Sequence, residues 1–239
     1  MLEDTIEALR SSALDADDAS GNFAAMYARV SDRVQTAIAD GRFGDGERMA
    51  RFARTFADWY LGPRGGTRQR PACWVAADDV ADDARLLIVQ HLLLGINAHV
   101  NHDLAQVVVE LAEAGTPIGE LRPDFDAIND ILAETQPDVL RDLGRVTGWT
   151  QLAASWGGRT FNFSLDRARD QAWRSAVRLH ALDGADRTRE AAELDRVVSV
   201  LSYLITRPVR PLSWVVPIAR WVENDDPRIV TRQLLGHLA

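Results

Sequence analysis

Three of the five histidines fall inside one short run, Gln90–Leu104, QHLLLGINAHVNHDL, beside two asparagines and an aspartate. The rest of that run is apolar. Polar groups inside an apolar helix must be paired, so they mark a network or a site. His91, Gly95, His99 and Asp103 stand four residues apart in series, so on a helix they form one ridge. An imidazole and a carboxylate one turn apart can pair. The carboxylate then fixes the ring's tautomer and raises its basicity, which is the equipment of a general base. Gly95 removes a side chain from the ridge. A mid-helix glycine costs about 1 kcal/mol relative to alanine, so close approach of a neighbour or ligand is expected there. Asn97 and Asn101 form a second pair on the far side of the same helix.

Three chemistries fit these residues. The first is a metal-independent enzyme acting on a small organic metabolite. His99 is its base or acid, Asp103 orients the ring, and His91 and Asn97 bind polar groups of the substrate beside Gly95. The second is a non-catalytic protein that binds a ligand or partner, with the polar helix tying neighbours together. The third is a metal-dependent hydrolase using His99 with His102, or His99 with Asp103, as two ligands from one turn. Its other ligands would come from another helix, and no HExxH or ExxH pattern supplies them. The first reading leads, with no cofactor and no metal expected.

Other residues give weaker signals. Arg169 and Trp173 are i,i+4 neighbours that could hold a carboxylate or an aromatic ligand, or could be a surface arginine covering a core tryptophan. Tyr27 and Tyr60 sit in apolar stripes, and their hydroxyls need partners if buried; Tyr60 is taken as a substrate contact. Asp78, Asp79, Asp82 and Asp83 are expected as a solvated cap of the polar helix. Asp124 and Asp126 read as first-turn charges. The arginines of RGGTRQR at 64–70 fit no phosphate-binding fingerprint and read as a surface loop.

The elements that must position these groups are helical. Apolar positions recur at helical spacing almost everywhere, and alternating β-branched runs are absent. Helices are expected over 22–40, capped by Asn22 and ended by Gly41, and over 46–61, capped by Asp45. Residues 62–72 read as a loop, and 79–114 as one long apolar helix whose part from about 85 to 112 is central and buried. Pro117 and Pro123 punctuate the next stretch before a helix over 124–134. Gly157-Gly158 marks a break, followed by helices over 161–183 and 187–206. Pro208, Pro211 and Pro217 break the C-terminal part, whose RPVRPLSWVVPIARW run is expected to pack on the core, and Asp226-Pro227 opens a last helix. One all-α domain over 1–239, of about eight or nine helices around the polar helix, is the expected fold.

Composition bounds the function. The chain has 239 residues and a formal net charge of −8, so its surface repels phosphate backbones and a nucleic-acid partner is not expected. The one cysteine, Cys73, excludes an internal disulfide and a multi-thiolate metal site. Every one of the 27 basic residues is arginine. Without lysine there is no Schiff-base or P-loop lysine chemistry. Met1-Leu2-Glu3-Asp4 lacks the basic and apolar regions of a secretory signal, and uncharged stretches such as Val197–Thr206 are too short to span a bilayer. A cytoplasmic protein with no membrane partner is expected. The oligomeric state is open.

The run HLLLGINAHVNHDL resembles the signature of a family of uncharacterised, mainly actinobacterial proteins, a domain of unknown function. The resemblance extends to FAAMYARV at 23–30, GRFGDGERMARFARTFADWYL at 41–61, DFDAIND at 124–130 and RARDQAW at 167–173. It covers most of the chain. It implies a shared fold and a shared polar helix but no reaction. His91, Gly95, Asn97, His99 and Asp103 match the motif and His102 does not, which weakens a metal site built on His102. The stretch around Cys73 and Trp74 diverges from the family, so Cys73 is not expected as a nucleophile.

Overall fold

The computed structural model describes residues 2–147, 158–207, 223 and 226–236. Their order is α1 (Leu2–Asp15), α2 (Ser20–Ala39), α3 (Gly46–Arg64), α4 (Ala72–Asp78), α5 (Ile88–Ile96), a π-helical segment (Asn97–Asp103), α6 (Leu104–Glu113), α7 (Ile118–Thr147), α8 (Gly158–His180), α9 (Gly184–Thr206) and α10 (Pro227–Leu234). The described residues contain no strand and form a single all-α domain.

Two apolar clusters hold the helices together. One joins Val34, Phe52, Val107, Phe125, Ile131 and Leu179, from α2, α3, α6, α7 and α8. The other joins Leu9, Phe23, Tyr60, Trp74, Leu92 and Val198, from α1 to α5 and α9. The run α5–π–α6 threads both clusters, so the polar motif lies where they meet.

Several boundaries follow from capping chemistry. Asp45 caps α3 by accepting from Arg48 N at 2.8 Å, and Asp226 caps α10 by accepting from Arg228 N at 2.9 Å, with Pro227 as the first helical residue. Gly41 leaves α2 with φ +69°, the left-handed region glycine enters without strain. α2 starts earlier than its periodicity predicts, because Asp18 accepts from Ser20 N at 2.8 Å. Asn22 is therefore not a cap. It is buried inside α2, where its Oδ1 accepts from the Thr231 hydroxyl at 3.0 Å.

The long helix expected over 79–114 begins only at Ile88 and takes a π winding over Asn97–Asp103 before continuing as α6. Residues 79–87 are turns, because Asp83 accepts from Arg85 N and from the Arg85 guanidinium and folds the chain back locally. α5 begins only at Ile88, where Gln90 reaches back to Leu87 N and Glu223 accepts from Ile88 N. The expected aspartate cap is thus a glutamate from far along the chain, while Asp78 pairs with Arg64 and Arg70.

Elsewhere α3 runs through Pro63 to Arg64, shortening the expected loop, and α7 runs through Pro123 and Pro137 over a longer span than 124–134. Asp124 is not an exposed first-turn charge; it is buried and accepts from Arg48 Nε at 2.7 Å. α1 and α4 are helices that the sequence reading does not single out. The expected packing of RPVRPLSWVVPIARW at 207–221 falls, after Arg207, outside the described residues. No helix among the described residues is long and apolar enough to cross a membrane.

Candidate functional site: a buried histidine–aspartate pair

His91 and Gly95 lie on α5, and Asn97, His99 and Asp103 fall on the π-helical segment. A π winding bonds i to i+5 and widens the helix, and such segments recur at functional sites. Residues four apart still face one another across this wider turn. His99 Nδ1 lies 3.0 Å from Asp103 Oδ2. The carboxylate can only accept while ionised, so Nδ1 carries the hydrogen and donates it, leaving Nε2 with a lone pair. Asp103 is fully buried and takes two further donors. The Trp74 indole donates to Oδ2 at 2.8 Å, and His102 Nδ1 donates to Oδ1 at 2.8 Å.

These bonds set the protonation states. Burial alone would raise the Asp103 carboxyl, but the His102 and His99 donors outweigh it and hold the group below the usual carboxylate range. For His99 burial wins over the attraction of Asp103, so its pKa lies below the ordinary histidine value. The pair is therefore a neutral imidazole on an ionised carboxylate.

Aromatic rings enclose the imidazole. Phe56 stacks on it at 3.6 Å between centroids, with the planes 5° apart. Tyr27 meets it at 4.4 Å, Phe23 at 5.6 Å and Trp74 at 6.4 Å. His99 is only 3% exposed, and its Nε2 has no hydrogen-bond partner among the described residues. A buried polar atom without a partner is rare and calls for an explanation. The tyrosine hydroxyls do not supply one: Tyr27 bonds Ser31 and Tyr60 bonds Ser12, and burial raises both phenols.

Gly95 has its expected close neighbour. A Cβ there would lie 2.4 Å from Phe23 Cγ, so α2 can press Phe23 onto the ridge only because residue 95 is glycine. Beside this contact lies a cavity of about 20 Å³, bounded by Phe23, Arg64, Trp74, Asp78, His91 and Gly95. That is room for about one water. Phe23 and Trp74 belong both to its wall and to the rings around His99. His91 is half-buried on this wall rather than inaccessible, because the ridge comes to the surface at its N-terminal end.

The other expected contacts lie elsewhere. Asn97 is directed away from the cavity; its amide donates to Val198 O and Ser202 Oγ of α9, at 2.9 and 3.0 Å, and its Oδ1 accepts from Asn101. It holds helices together rather than presenting a free group. Arg169 is buried, not a surface arginine, and does not stack on Trp173. It donates to Asn129 Oδ1 and Phe125 O, with its guanidinium 4.4 Å from the Phe125 ring, and burial lowers its pKa to about 10. The cation over Trp173 is Arg122, at 5.1 Å. Arg169 and Trp173 thus form a second cluster around Phe125. Burial pushes the Cys73 thiol far up, which makes it a poor nucleophile.

Trp74 is the site residue that the sequence reading passed over. Its signal was generic: a buried indole N–H needs an acceptor. Its position is set by Asp195 of α9, whose carboxylate accepts from Ala72 N and Cys73 N at 2.7 and 2.8 Å and so caps α4. His99 and His102 bond opposite oxygens of one carboxylate, and among the described residues no group of three or more His, Cys, Asp or Glu could hold a metal ion.

Residues 2–208 match the model of a family of unknown function, DUF5995. No curated protein and no solved structure matches the chain.

Proposed function

The chain belongs to the DUF5995 family of unknown function, and from that footing we propose that it is an enzyme of acid–base type acting on a small organic metabolite, with His99 as its general base. The observation that carries this reading is the buried, unpartnered Nε2 opposite an Nδ1 tied to an ionised carboxylate. Nε2 takes a proton from the substrate, Asp103 stabilises the imidazolium, and the proton is returned to product or water. Trp74 and His102 hold the carboxylate in place. The substrate enters past His91, Arg64 and Asp78, where the cavity beside Gly95 has room for about one water and must widen to admit it. No cofactor takes part in this scheme. A cytoplasmic, actinobacterial setting belongs to the same reading.

One observation favours a structural role instead. Phe56 lies flat on a ring that is 3% exposed, as in a well-packed core. Incubation of the purified protein with a small-molecule metabolite extract, followed by mass spectrometry, separates the two. Depletion of a compound by the native chain, slowed by about 10²-fold or more in a folded His99→Gln variant, supports catalysis. Identical extracts from both proteins, with a large fall in melting temperature for the variant, would establish the structural role.

A further inference from the structure

The outer face of α9 carries a contiguous apolar stripe. Val197, Val200, Leu201 and Leu204 follow the i, i+3, i+4, i+7 spacing of one helix face, and Tyr203 flanks them; their exposure runs from 39% at Leu201 to 55% at Tyr203. Single exposed apolar residues are ordinary, but a contiguous patch marks an interaction surface. The inner face of the same helix is engaged, through Val198 and Ser202 to Asn97 and through Asp195 to α4.

We propose that this stripe is the interface with a second copy of the chain, formed by antiparallel pairing of α9 with α9. The charges that bound the stripe are self-complementary in that arrangement. Glu193 and Arg207 lie seven residues before and after Val200, Glu193 within α9 and Arg207 at its C-cap. With Val200 on the two-fold axis, Arg207 of each copy faces Glu193 of the other. Both are exposed; Glu193 pairs along its own helix with Arg196, and Arg207 lies 4.4 Å from the Tyr203 ring, so each can accept a second partner. A parallel pair would set Glu193 against Glu193 and Arg207 against Arg207, which is repulsive. Five side chains over about two turns make a small interface, so the pair is expected to dissociate on dilution. Because α9 also holds Asn97 and the start of α4, pairing clamps the helices that position Trp74 and Asp103.

Sedimentation velocity of the full chain between about 1 and about 100 µM tests this. The expected result is a shift from one chain of 26.5 kDa toward twice that mass. Val200→Glu should weaken association at least tenfold. Arg207→Glu alone should weaken it, and Arg207→Glu combined with Glu193→Arg should restore it. A chain that stays monomeric throughout overturns the proposal. If Val200→Glu then also lowers the melting temperature, the chain itself covers the stripe. A dimer indifferent to Val200→Glu overturns it too, and failure of the double charge reversal to restore pairing overturns the antiparallel register. Binding of the monomer to phosphatidylcholine–phosphatidylglycerol vesicles through the stripe would assign the face to a membrane and overturn a second copy.

Discussion

The indole N–H of Trp74 donates to the Asp103 carboxylate at 2.8 Å, from a helix that Asp195 of α9 caps. Asp103 thereby takes three donors, from Trp74, His99 and His102, with no water-exposed edge. A buried carboxylate satisfied in this way stays ionised and keeps the His99 ring in one orientation.

Replacing Trp74 by Phe keeps an aromatic ring there but leaves a small void and deletes one charge-assisted bond. The expected loss is about 1.5–3 kcal/mol in chemical denaturation, with the m-value unchanged. A loss near zero would mean that the carboxylate has found another donor.

Asp103→Asn should cost more. Its amide offers one oxygen and an NH₂ to three N–H donors, so either an imidazole must give up its tautomer or a donor faces another donor in a dry core. Destabilisation of about 3 kcal/mol or more is expected in thermal or urea melts. A variant as stable as the parent would contradict the bonding described here.

Gly95→Ala tests the approach of α2. In a bare helix the change stabilises by up to about 1 kcal/mol. Here the new methyl would sit 2.4–2.9 Å from Phe23 Cγ, Cδ2 and Cβ, atoms near the backbone that cannot swing away cheaply. A net loss of about 1–3 kcal/mol is expected, partly recovered by Phe23→Ala in the same chain. An increase in melting temperature would place Phe23 elsewhere.

The pH dependence follows from His99. Its folded pKa lies below its unfolded value of about 6.5, so between the two the unfolded chain binds the extra proton. Its contribution is fully present above pH ~6.5 and is lost as the pH falls toward the folded value, at up to about 1.4 kcal/mol per pH unit. Asp103, also lowered, adds a further loss only below about 3.8. Melts of the native chain and of His99→Gln between pH 7.5 and 5 should differ in slope, the variant being flatter; parallel curves would exclude His99 as the group that titrates.

Cys73 should resist thiol reagents. It is fully buried and its pKa is far above the ordinary thiol value. Disulfide-exchange reagents at pH 8 should label it only after unfolding in guanidinium. Fast labelling of the native chain would show that α4 opens readily.

What the sequence by itself determined is local. The His99–Asp103 pair and the Gly95 notch were legible because residues four apart share a face whatever surrounds the helix. The all-helical class followed from apolar periodicity, and the caps at Asp45 and Asp226 from chemistry within three residues. The tertiary structure decided everything that depends on a distant partner. Trp74 reaches Asp103 across 29 positions, Asn97 reaches Val198 across 101, and Glu223 reaches Ile88 across 135. It also decided that Arg169 turns inward to Asn129 and Phe125 rather than toward Trp173, and that Nε2 of His99 lies sealed among rings. Periodicity states which face of a helix is buried. It does not state which helix covers that face, and burial by particular neighbours is what sets the ionisation of His99 and Asp103.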